Sequence, residues 1–153
     1  MKRMMLATAI AALALTVAAA QSAPAGEPSY VGRIELGVSI AGLSALAETG
    51  DEAALAALSD RAILLLGTLS APSVAVDEPF EAVVEFMQGE WRDPSTLLLH
   101  RVFIVFRGEA FRSYLQGSAG KRAVVVARKP TLGPSPHGGY AVYLEVVSAR
   151  TAS

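Results

Sequence analysis

The sequence predicts a mainly β protein, a small barrel of five strands with a short helical segment ahead of it. Three features predict this. Apolar and polar side chains alternate with strand period over 81–88, 97–107 and 140–149. Gly- and Pro-containing clusters punctuate these runs at 89–94, 117–120 and 133–139. Between the third and fourth predicted strands, 110–116 reads as one or two helical turns closed by Gly117.

Taken in order, Lys2 and Arg3 precede an uncharged Ala/Leu-rich run over 4–20, followed by small residues to Ala25. This pattern is that of a secretory signal peptide, with exits after Ala20 or after Ala25. The run is shorter than the roughly 20 apolar residues of a spanning helix, so cleavage is expected, with no transmembrane span afterwards. The address is then periplasmic or secreted. The chain has no Cys, which excludes disulfides and a lipid anchor on an N-terminal cysteine. The remaining chain of about 130 residues is of single-domain size.

Residues 33–47 carry two periods. Ile34, Leu36, Val38 and Ile40 alternate as in a strand, whereas Leu36, Ile40, Leu43 and Ala47 fall at helical spacing. The Ala and Leu content of the second half favours a helix over the whole segment, weakened by Gly37 and Gly42. A second helix follows, with Thr49 or Asp51 as N-cap and Asp51 and Glu52 at its positive end. Ala62–Leu69 is an apolar strand containing Gly67 and stopped by Ala71 and Pro72. Strand 81–88 places Glu81, Val83, Glu85 and Met87 on one face and Ala82, Val84 and Phe86 on the other. Residues 89–94 read as a loop. Strand 97–107 turns Leu98, His100, Val102, Ile104 and Phe106 inward. A Val-rich strand, 121–129, ends at Pro130, a turn cluster follows, and 140–149 is the last strand.

Five strands with a helix between the third and fourth resemble the OB-fold, a five-stranded Greek-key barrel. The resemblance lies in strand order and length over 61–150, not in a residue motif. A β-sandwich is the alternative, but it usually has about seven strands and no helix here. The domain plan is a signal peptide over 1–25, a helical segment over 26–60 packing on the barrel, and the OB-like barrel over 61–150.

Charge is unevenly spread. The chain has 13 basic and 14 acidic side chains, yet over 26–90 only Arg33 and Arg61 face eleven acids, while 91–130 is strongly basic. Either the basic half presents an anion-binding surface, or acidic and basic strands lie side by side and neutralise each other. The near-balanced total favours the second. Catalytic chemistry is not expected. The two histidines, His100 and His137, have no i, i+3 or i, i+4 partner to build a zinc site. No nucleophile elbow or phosphate-binding glycine loop is present. No metal and no cofactor are predicted.

What remains is binding. OB-like barrels hold ligands across their second and third strands and under the adjoining loops. That surface contains Arg101, Phe103 and Arg107, then Arg128 and Lys129, then Tyr143; Trp91, the single Trp, stands in the neighbouring loop. These seven residues are the candidate contacts. Arg interleaved with aromatics is the composition of a single-strand nucleic-acid surface, but Glu81 and Glu85 nearby and the export address disfavour nucleic acid. The expected function is therefore a non-enzymatic binding module of the cell envelope, recognising a protein or an anionic glycan or lipid headgroup. The alternative is an assembly subunit pairing through an exposed edge of strand 97–107 or 123–127.

Overall fold

The structure, a computed structural model, describes residues 33–152; the predicted signal peptide lies outside them. Strand β1 (Ile34–Glu35) is followed by helices α1 (Ile40–Thr49) and α2 (Glu52–Ala56), then by β2 (Ala62–Leu69), β3 (Ser73–Val76), β4 (Glu81–Asp93) and β5 (Thr96–Arg107). Helix α3 (Ala110–Leu115) and strands β6 (Arg122–Pro134) and β7 (Tyr140–Thr151) complete the order. Five strands close a ring, β2–β6–β7–β5–β4, with β4 returning to β2. All its pairings are antiparallel except β5 with β7. This is a small OB-like barrel, with β1 and β3 as short additions at either end of the strand order.

Strand alternation builds the interior. Ala82, Val84 and Phe86 on β4, Val102, Ile104 and Phe106 on β5, and Val142 and Leu144 on β7 are buried together. Helix α1 adds Ile40, Leu43 and Ala47 from one face. Phe111 of α3 packs edge-on against Phe106, with ring centroids 5.1 Å apart. Arg112 lies over the Phe80 ring at 4.6 Å and reaches Asp77 at 2.8 Å, tying the β3–β4 turn to α3. Among the described residues, no helix is long and apolar enough to cross a membrane.

Four local expectations are corrected. The helix predicted over 33–47 begins only at Ile40, where the Ser39 side chain accepts from Gly42 N at 3.0 Å as N-cap. Ile34 and Glu35 instead pair parallel with Ala62 and Ile63, so the strand period prevails in the first half. Strand β3 was not anticipated; its four residues are all exposed and leave no burial pattern to read. The loop predicted at 89–94 is strand, because β4 and β5 stay in register outward through Gly89↔Leu99 to Trp91↔Leu97. Its turn is held by Asp93, which accepts from Ser95 N at 2.9 Å and Ser95 Oγ at 2.7 Å. Finally, β6 runs past Pro130 to Pro134, accommodating the proline at an irregularity between Arg128 and Thr131.

Gly67 marks where β2, still paired with β6, begins to pair with β4 on its other side. Leu66 and Thr68 still pair with β6, and Thr68 also pairs with Met87. A Cβ at Gly67 would lie 2.7 Å from Met87 O and 2.8 Å from Ile40 Cδ1, so only a glycine lets β4 and α1 close over this point. Barrel closure also corrects the expected assembly edges. Strand β5 is bonded on both sides, to β4 and β7, and β6 to β2 and β7, so neither ladder is available for strand addition through its barrel segment.

Candidate functional site

The outer face of β4, β5 and β7 gathers most of the polar and aromatic side chains singled out in the sequence. Phe103 and Tyr143 are direct partners in the parallel β5–β7 pairing, and their rings stack with centroids 5.1 Å apart and planes at 20°. His137 adds a third ring, stacked 6.4 Å from Phe103 at 25°. It arrives from the β6–β7 turn, which positive-φ Gly138 and Gly139 fold back and Ser135 N bonding Gly139 O at 3.0 Å closes. Phe103 itself is only 5% exposed, so it is the floor of the cluster; Tyr143 and His137 offer its accessible surfaces.

Tyr143 is fixed by β6. Its hydroxyl donates to Pro134 O at 2.6 Å, and its ring covers Gly133, where a Cβ would lie 2.8 Å from Cε2. Burial raises the Tyr143 phenol above its usual pKa.

Charge on this face is paired across strands. Glu85 binds Arg101 Nη1 at 3.3 Å and His137 Nε2 at 3.1 Å through the same oxygen. Glu81, the register partner of Arg107, accepts from Arg107 Nε at 2.7 Å. Glu145 accepts from Arg107 Nη1 and lies 3.5 Å from Arg128 Nε and 3.2 Å from Lys129 Nζ. The Glu81 bond, ahead of the opposing effect of burial, holds the Arg107 pKa above its usual value. At Glu145, burial acts to raise the carboxyl pKa, but Lys129 and Arg107 outweigh it and the net direction is down.

The seven candidate residues thus fall into three places. Arg101, Phe103 and Tyr143 share one cluster with Glu85 and His137. Arg107, Arg128 and Lys129 share a second, around Glu145. Trp91 stands apart on the outer arm of the β4–β5 hairpin, 67% exposed, beside exposed Leu97, Leu98 and Leu99. Two residues escape the sequence reading as part of the site, His137 and Glu145, because their partners come from other strands; Glu85, expected near the surface, lies in it. His100 lies at the barrel rim, partly buried, with Nε2 3.3 Å from Glu90.

No family model matches the chain, and no curated protein matches it. Among solved structures it is similar to a small single-stranded DNA-binding protein from Streptomyces coelicolor, at 12% identity and a TM-score of 0.44 over 60% of this chain and 93% of that one. It is likewise similar to the Plasmodium falciparum SSB in complex with ssDNA, at 14% identity and a TM-score of 0.42 over 60% of this chain and 94% of that one. At such identities the likeness is one of fold. Both are named for single-stranded DNA, which is a statement about those two proteins. Against these two structures the expectation of an exported module for an envelope protein, glycan or lipid headgroup is corrected. So are the periplasmic or secreted address and the expectation that nucleic acid is disfavoured as partner.

Proposed function

We propose that this chain binds single-stranded nucleic acid, without catalysis, on the outer face of β4, β5 and β7. The observation that carries the reading is the ring cluster of Phe103, Tyr143 and His137, seated on rigid barrel strands between two hairpin arms. Every base has a π-face, so an aromatic surface accepts unpaired bases with little regard to sequence; each stacked base is worth about 1–3 kcal/mol. Arg101 borders the rings, and Arg107, Arg128 and Lys129 gather around Glu145, one same-face step beyond Tyr143 on β7, which sets cations near stacked bases as a sugar-phosphate backbone requires. Trp91 on the β4–β5 arm is a further stacking surface.

The test is fluorescence anisotropy with a labelled oligo(dT), a mixed-sequence RNA and a DNA duplex. Single strands should bind more tightly than duplex, and Tyr143→Ala should weaken them about tenfold or more, within the range for one lost stack. Equal binding of duplex and single strand, or an unaltered affinity in Tyr143→Ala, overturns the assignment.

A further inference from the structure

Three cations converge on one carboxylate at Glu145. Arg107 comes from β5, and Arg128 and Lys129 come from β6. Consecutive residues of a regular strand point to opposite faces, so Arg128 and Lys129 reach the same group only because the ladder is broken there. The β6–β7 register shifts between Arg128 and Thr131, and Lys129 has φ 51°, the one positive value at a non-glycine among the described residues. That conformation is disfavoured for an L side chain, and strain of this kind gathers where a site must aim its groups. One carboxylate does not balance three cations, and Glu81 matches only Arg107. The cluster keeps a surplus positive charge on the face proposed to carry a single strand.

We infer that Arg107, Arg128 and Lys129 form a seat for a backbone phosphate, which Glu145 fills in the free protein and vacates when nucleic acid binds. The inference rests on the single-strand reading above. A phosphodiester carries the same single negative charge as a carboxylate and presents two free oxygens, so it replaces Glu145 without changing the charge of the seat. Glu145 thereby competes with the ligand and sets its affinity. Replacing it by an uncharged side chain of the same shape removes the competitor and leaves the cations in place.

The experiment compares wild type, Glu145→Gln and Lys129→Gln by oligo(dT) anisotropy over a salt series, with thermal melts to establish folding. Inorganic phosphate is titrated in parallel, followed by NMR at the amides around Arg128 and Glu145. Glu145→Gln should bind the oligonucleotide about tenfold more tightly at low salt. Lys129→Gln should bind more weakly and with a shallower salt dependence, by about 0.7 in the log–log slope for one lost phosphate contact. Unaltered or weaker oligonucleotide binding by Glu145→Gln, with binding by wild type intact, overturns the seat and leaves the single-strand reading standing. Phosphate shifts that are larger in Glu145→Gln than in wild type, with no oligonucleotide binding by either, overturn the single-strand reading and the backbone source of the phosphate.

Discussion

The ring of Tyr143 rests directly on the backbone of Gly133, so that any Cβ there would lie 2.8 Å from Cε2 and 2.9 Å from Cδ2. The contact crosses the β6–β7 hairpin, where Gly133 pairs with Ala141 and Thr131 with Tyr143. It makes the aromatic cluster depend on a residue that has no side chain.

Gly133→Ala should displace the Tyr143 ring from Phe103. We expect a stability loss of about 1–3 kcal/mol, as for other overpacked sites, and weaker oligonucleotide binding. In a Tyr143→Ala background the same substitution should be nearly neutral, because the obstructing ring is gone. A double-mutant cycle of thermal melts measures this; additive effects in the two backgrounds would show that the ring contact is not the cause.

Trp91→Ala should separate binding from folding. With its side chain largely in solvent, stability should stay within about 0.5 kcal/mol, while single-strand affinity should fall by about 1–3 kcal/mol if one base stacks there. Denaturant melts and anisotropy on the same samples check both halves.

Lys129→Gly should be more stable than Lys129→Gln by about 1 kcal/mol, since glycine adopts a positive φ without the steric cost an L side chain meets. Both variants lose the same contact to Glu145, so comparing their urea midpoints isolates the backbone. A glycine variant less stable than the glutamine one would remove strain from the account of this bulge.

Acid should loosen the Glu145 cluster. The folded-state pKa of Glu145 is held down, with burial opposing and Lys129 and Arg107 prevailing. A depressed carboxyl pKa contributes stability that is complete above the ordinary carboxylate range, near 4.3, and is lost as pH falls through the folded value. Melting temperature should therefore drop below about pH 4.5, and Glu145→Gln should flatten part of that drop. Asp93, bonded by Ser95, and Glu35, bonded by Gly37 N and Arg61, are also held below the usual carboxylate pKa and act in the same direction. Parallel melting curves for wild type and variant would contradict this role for Glu145.

Much of the barrel was legible because strand burial is a local, period-two property. Val84 and Phe86 against Glu85 and Met87, or Ile104 and Phe106 against Arg107, declare their faces without reference to any other strand. Where local signals were absent or misleading, the reading failed: β3 has no buried residue, the hairpin beyond Gln88 is exposed on both faces, and Pro130 looked like an end when it sits in a bulge. The expected export and envelope partners followed from the leader, which lies outside the described residues, and from a basic surface that is in fact paired.

By itself, the amino-acid order determined the strand faces, the glycine and proline breaks, the small helix before β6 and the five-strand plan, since each depends on neighbours along the chain. Only the tertiary structure decided which charges and rings meet. The parallel alignment of β5 with β7 brings Phe103 onto Tyr143 and Arg107 to Glu145, and the bulge in β6 turns Arg128 and Lys129 to the same carboxylate. Register between distant strands is set by closure of the whole barrel, and no window of sequence contains it.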